Sequence, residues 1–201
     1  MTQKTMLTRD AQKAQDKILT AAHQLFAERG FWGTSVQEIA DRAKVNKAML
    51  FYYFESKENL YFTLLERILN GVVIKLRAQI DNEADAVERM KALFNLYNSF
   101  ATEPQHFDTF KILFQDIMGP CDRVKESIKS HIAQVVRIFE EVIKQGIEAG
   151  IFRETDAHLT ALSIMGVMYV FARHRIMIGD SFIGKDVSSF MYQIIMDGIR
   201  R

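Results

Sequence analysis

Apolar positions recur at helical spacing along nearly the whole chain, and this pattern predicts an all-α protein of about nine helices. Ile18, Ala22, Leu25 and Phe26 fall at i, i+4, i+7 and i+8 in a first helix from about Asp10 to Glu28. Gly30 ends it at a position suited to a left-handed cap. Thr34-x-x-Gln37 and Ser35-x-x-Glu38 both fit a capping box that opens a second helix near Thr34. After a Lys44-Val45 turn, Asn46 caps a short third helix running to about Tyr53. Ser56 then opens a long fourth helix to about Ile80, apolar at Leu60, Leu64, Leu65, Ile68 and Val72. Further helices are predicted near 83–101, 104–118, 122–149, 156–179 and 186–200. Pro104 suits a first helical turn. Gly119-Pro120 breaks the chain, Gly150 is a C-cap candidate and Asp156 an N-cap candidate. No strand-period segment, repeat or low-complexity tract interrupts this order.

The third helix is too short to be stable alone. Val45, Leu50 and Phe54 must hold it against Phe26 and Ile39, which leaves Lys47, Ala48, Met49, Phe51, Tyr52 and Tyr53 at or near the surface. A lysine, two slim positions and a run of exposed aromatics on the second helix of a helix-turn-helix (about 35–54) is the build of a segment that enters a DNA major groove. Ala48 lets the helix start approach a base edge, and Met49 adds an apolar contact. Lys47 and Lys57 reach phosphates on either flank, Tyr52 and Tyr53 can donate hydroxyl hydrogen bonds to them, and Thr34 and Ser35 form a second phosphate clamp at their helix start. Phe51, Tyr52 and Tyr53 have a second reading, as packing against the fourth helix.

Charge neither supports nor excludes this reading. The 201 residues carry 26 Lys and Arg against 25 Asp and Glu, a net charge of +1. Residues 1–66 hold nine basic and eight acidic side chains. A DNA face must therefore arise by sorting charges to one side, because local patches and not bulk charge bind phosphate. A single cysteine, Cys121, excludes an internal disulfide and suits a reducing cytosol. The polar N-terminus lacks a signal core, and the Ala161–Ala172 apolar run is about half of the roughly 20 residues a bilayer span needs. These features predict a cytoplasmic protein with no membrane association.

Residues 10–66 resemble the DNA-binding domain of the TetR (tetracycline-repressor) family. The resemblance rests on Leu-Phe-Ala-Glu-Arg-Gly-Phe, then Gly-Thr-Ser-Val-Gln-Glu-Ile-Ala, then Lys-Val-Asn-Lys-Ala-Met-Leu-Phe-Tyr-Tyr-Phe-Glu-Ser-Lys-Glu-Asn-Leu. It implies a flexible arm over 1–9, the helix-turn-helix domain over 10–66, and a ligand-binding and dimerisation domain over 67–201. It places Lys47, Phe51, Tyr52, Tyr53 and Lys57 at the family's usual contact positions. Ala48 stands for a common glycine, Met49 for a common threonine and Phe51 for a common tyrosine. The lost hydroxyls point to a more apolar readout. The implied function is a ligand-responsive regulator, a repressor in the first reading, that binds a palindromic operator on double-stranded DNA as a homodimer.

In the body, the 156–179 segment is apolar nearly all round, so both of its sides must be covered. Leu162, Gly166 and Val170, with Met191 and Ile195 of the last helix, are the candidate dimer interface, arranged as a two-fold four-helix contact. Phe94, Tyr97, Phe110, Phe114 and Met118, with Met165 and Tyr169, are candidate pocket residues for a small, largely apolar effector; each can equally be ordinary core. No cofactor is implied. His106, His131, His158 and His174 lack metal-ligand spacing, and no nucleophile–base pair or phosphate loop points to an enzyme. Two rivals stay open: a helical module that docks a protein partner through its aromatics, and a small-molecule enzyme using the body pocket.

Overall fold

The structure is a computed structural model, and it describes residues 3–82, 85–115, 120–178 and 187–201. Nine helices run through them: α1 Gln3–Arg29, α2 Val36–Ala43, α3 Lys47–Phe54, α4 Lys57–Asp81, α5 Ala86–Thr102, α6 Pro104–Gln115, α7 Asp122–Glu148, α8 Ala157–Ile178 and α9 Val187–Ile199. The one extended pairing among the described residues is an isolated antiparallel bridge between Phe152 and Arg200.

Local chemistry sets most of the boundaries. Gly30 and Gly150 both take φ +69°, the left-handed conformation that ends a helix without steric cost to glycine. Ser35, Asn46, Ser56 and Asp85 each accept a backbone N–H at the start of α2, α3, α4 and α5, and Asp156 accepts the Leu159 N–H at the start of α8. One expectation is corrected. Residues 3–9 continue α1 instead of forming an arm, because nothing between Gln3 and Asp10 breaks a helix.

The buried apolar side chains fall into clusters that each span several helices. Ile18, Leu25 and Phe26 of α1 meet Ile39, Leu50 and Leu60 in a first apolar cluster, which also takes in Ile112 of α6 and Val124 and Ile128 of α7. A second cluster gathers Leu76 and Ile80 of α4, Met90 and Phe94 of α5, Phe139 and Val142 of α7, Ile164 of α8 and Met191 of α9. Helix α4 contributes to both. It runs from the helix-turn-helix into the body and packs along α7 and α5. Beyond α7, the Phe152 ring fills the notch left by Gly146, where a Cβ would collide with it.

By length and composition α8 meets the requirement for a membrane span, which the shorter apolar run in the sequence did not lead us to expect. In the fold one side of it packs on α7, with Ala161, Ile164 and Ala172 buried.

Candidate DNA interface and effector cavity

The helix-turn-helix begins with a complete capping box. The Ser35 hydroxyl accepts the Glu38 N–H at 3.2 Å, and the Glu38 carboxylate accepts the Ser35 N–H at 2.9 Å. Arg29 pairs with that carboxylate at 2.6 Å, and Arg42 pairs with Glu28 at 2.7 Å. These bonds hold the Glu38 and Glu28 carboxyls below their ordinary pKa; the first causes are the Ser35 hydroxyl and the Arg42 guanidinium respectively. Two of the module's cations are thereby spent on holding α2 to α1. Lys44 and Lys47 are exposed and form no ion pair among the described residues.

On α3 the spacing of four puts Leu50 and Phe54 inward. Lys47, Ala48, Met49, Phe51 and Tyr52 face solvent, and Tyr52 is 80% exposed. Lys47 Nζ lies 5.9 Å from the Phe51 ring centre. Tyr53 is half-buried, edge-on to Tyr52 at 5.2 Å, and packs on the first cluster. The exposed set is thus five of the six residues the sequence left outside, gathered on one face of a helix whose N-terminus is free to approach a groove.

Two candidate phosphate contacts are placed differently. Thr34 is 2% exposed. Its hydroxyl donates to backbone carbonyl oxygens of the first helix end, with Leu25 O at 3.1 Å and Gly30 O at 2.9 Å. That corrects the reading of Thr34 as half of a phosphate clamp; its hydroxyl locks the turn. Ser35 stays exposed, but its box is satisfied internally. The Lys57 ammonium donates to Thr34 O at 2.7 Å and lies 4.2 Å from the Phe31 ring centre. Burial pulls its pKa down. Lys57 therefore buttresses the turn. Trp32, 77% exposed in that same turn, was missed; a large aromatic beside Gly33 between two helices was the available signal.

A cavity of about 380 Å³ lies between α4, α5, α6, α7 and α8. Of the candidate pocket residues, Tyr97, Phe110, Phe114, Met165 and Tyr169 line it. Phe94 does not. It is sealed in the second cluster, edge-on to Tyr192 at 5.8 Å, because it projects from α5 toward α9. Met118 lies outside the described residues. The sequence reading missed the α4 wall (Leu65, Leu69, Val72, Val73) and the α7 wall, since helical periodicity does not distinguish a residue facing a void from one facing core.

Two polar side chains stand out in this apolar lining. The Tyr97 hydroxyl donates to Met168 O at 2.9 Å, and burial raises its pKa. His131, noted in the sequence only for lacking metal-ligand spacing, is buried on the lining. Its Nδ1 lies 2.8 Å from Ser127 O and its Nε2 3.2 Å from Asn70 Oδ1. The Ser127 hydroxyl donates to Glu66. Glu66 and Asn70 belong to α4, Ser127 and His131 to α7, so a polar seam joins the two helices along one wall of the cavity.

Three of the five candidate dimer residues are exposed on α8, and two of them, Leu162 and Gly166, also stand on the lining of the cavity. Leu162, Gly166 and Val170 are exposed on α8, with Val170 at 63%. A Cβ on Gly166 would meet nothing within 4 Å. On α9 the expectation is corrected: Met191 is 1% exposed in the second cluster, and Ile195 packs against the same cluster. Phe190 and Ile194, four apart, are the outward pair instead, so the outward stripe is one residue out of register with the expected one.

Comparison with known proteins agrees with both halves of this architecture. Residues 18–64 match the family model described as bacterial regulatory proteins, tetR family. Residues 83–173 match the tetracyclin repressor-like C-terminal domain. The HTH-type transcriptional repressor NicS of Pseudomonas putida is 27% identical over 207 residues, covering 95% of this chain and 94% of the relative. The HTH-type transcriptional repressor KstR2 of Mycobacterium tuberculosis is 30% identical over 159 residues, covering 78% of each chain. Among solved structures, the transcriptional regulator FadR from Bacillus subtilis in complex with stearoyl-CoA superposes with a TM-score of 0.78 at 19% identity, over 92% of this chain and 98% of that one.

Proposed function

The chain belongs to the bacterial tetR family of DNA-binding transcriptional regulators, and from that premise we propose that it is a homodimeric repressor released from a palindromic operator by a small, largely apolar effector. Its relatives are regulators of transcription and not enzymes, and such a protein works in the cytosol, where the DNA is.

The observation that carries this reading is the double duty of α4. Its first residue, Lys57, props the turn ahead of α2, while Leu65, Leu69, Val72 and Val73, two to four turns on, form a wall of the cavity. A ligand that fills the cavity changes the free energy of one α4 position relative to another, and the recognition helix follows. The effect on DNA is a population shift equal to the ligand's differential affinity for the two positions. In the DNA-competent state, two copies of α3 enter successive major grooves about 34–36 Å apart. Lys47 meets phosphate, Tyr52 donates to a phosphate oxygen, and Ala48 and Met49 read base edges.

The exposed apolar stripe of α8 and α9 supports the dimer. Leu159, Leu162, Val170, Phe190 and Ile194 cannot all stay in water in a working monomer without inviting association. A two-fold contact between copies covers them and matches the symmetry of a palindrome.

The test is selection from a random duplex library with the purified dimer at physiological salt. An enriched palindrome is the expected result. A folded dimer that enriches no sequence, even after unfolding, ligand removal and refolding, overturns the reading.

A further inference from the structure

The cavity is not sealed evenly. Among the described residues that line it, only Leu162 and Gly166 are exposed; the others are buried or half-buried. The two stand four residues apart, about one turn of α8, so the mouth of the cavity lies at that turn. Gly166 brings no side chain to close it, and a Cβ there would meet nothing within 4 Å.

The rim of this mouth is apolar. Leu159, Val167 and Val170 flank it and are exposed. Ser163 is the polar residue among them, and its hydroxyl is turned back to donate to Leu159 O at 2.8 Å. From Leu159 to Val170 the helix carries no charged side chain. The next titratable groups along α8 are engaged: His158 with Glu140 at 3.3 Å and Arg173 with Phe114 O at 3.1 Å. Helix α9 packs beside α8 and adds exposed Phe190 and Ile194. A face without charge offers nothing to phosphate or to a charged protein, but it is complementary to itself, as a two-fold contact requires.

We propose that the second protomer is the missing wall of the effector cavity: in the homodimer, the α8 face of one copy closes the mouth at Leu162 and Gly166 of the other. The inference rests on the cavity being the effector site and on α8 and α9 forming the dimer face. An apolar ligand that reaches an open mouth keeps part of its surface in water, and the partner removes that part. Such a ligand also touches the partner, so its length and shape bear on the angle between protomers and through it on the distance between the two copies of α3. Ligand affinity and protomer affinity are thereby coupled, each raising the other by the same factor per site.

The probe is 1-decanol, an uncharged chain that suits a lining with no Lys, Arg, Asp or Glu among the described residues. Calorimetry measures its affinity for the natural chain, Ile194→Glu and Val170→Glu. Both positions are exposed and neither lines the cavity, so the substitutions separate the protomers without altering its walls. Sedimentation and the helical signal identify folded monomers. The expected result is a loss of about tenfold in the monomers, equivalent to about two methylene groups returned to water, and a tighter natural dimer in the presence of decanol. If neither glutamate variant folds, Ile194→Ser and Val170→Ser weaken the contact instead, and affinity is read across a dilution series that spans their dissociation. Equal affinity in dimer and monomer overturns the shared wall and leaves the cavity reading intact. Glutamate variants that remain dimeric place the interface elsewhere and overturn it too. Binding to no form overturns the cavity reading and the inference with it. A natural chain that sediments as a monomer and floats with phosphatidylcholine vesicles gives the face to a lipid surface, which also overturns the inference.

Discussion

Lys57 Nζ donates to the backbone carbonyl of Thr34 at 2.7 Å while resting on the face of Phe31. The bond ties the first residue of α4 to the residue before the α2 capping box. It makes the long helix and the helix-turn-helix mechanically one piece. It also takes the best flanking cation out of the pool that could meet phosphate.

From this it follows that Lys57 and Lys47 behave oppositely on removal. Lys57→Ala loses a hydrogen bond and a cation–π contact and lowers stability by about 1–2 kcal/mol. The salt dependence of operator binding hardly changes. Lys47→Ala leaves stability within about 0.5 kcal/mol and lowers the salt slope by about one unit. Denaturant titration and binding at several salt concentrations check both; a lowered slope in the Lys57 variant returns that residue to the phosphate contacts.

The register of α9 gives a paired prediction on assembly. Ile194→Glu places a charge on the outward stripe, so sedimentation should show monomers with a helical signal near that of the natural chain. Met191→Ala instead opens a hole in the second cluster and costs about 2–5 kcal/mol. A stable dimer in the Ile194 variant would put the interface elsewhere.

His23 makes stability depend on pH at the α1–α6 contact, where its Nε2 lies 3.0 Å from the Thr109 hydroxyl. Burial lowers its pKa, with Asp108 partly offsetting the effect. The sign follows from linkage. Below about pH 6.5 the unfolded chain binds the proton more readily than the folded one, so stability falls as pH drops through that value toward the lower folded pKa. His23→Gln keeps a hydrogen-bonding group without the titration. Its thermal midpoint should fall less between about pH 7.5 and pH 5.5. An identical fall in both proteins would remove His23 as the cause.

Gly146 is required by the Phe152 ring that occupies its face. Gly146→Ala must push that ring out of the second cluster, at a cost of about 1–3 kcal/mol. The doubly changed chain with Phe152→Leu should recover part of the loss, which denaturant titration of both variants measures. Full stability in Gly146→Ala alone would show that the notch has room.

The sequence by itself determined the helices, their caps and which face of α3 is exposed. Gly30, Ser35, Asn46 and Ser56 act through bonds to neighbours a few residues away, and Leu50 and Phe54 face inward by helical period alone. It also carried the family motifs, which are local spacings. Only the tertiary structure decided where side chains of equal polarity end up. Thr34 reads as an N-cap but is used by carbonyls nine and four residues before it. Phe94 and Phe110 look alike on paper, and one is sealed in core while the other lines the cavity. Met191 and Ile194 are three residues apart on α9, at about 100° of rotation per residue, and which of them faces inward depends on what α5 and α8 present to the helix. A void and a seam such as Asn70–His131 exist only between elements distant in sequence, which is why no pattern along the chain could display them.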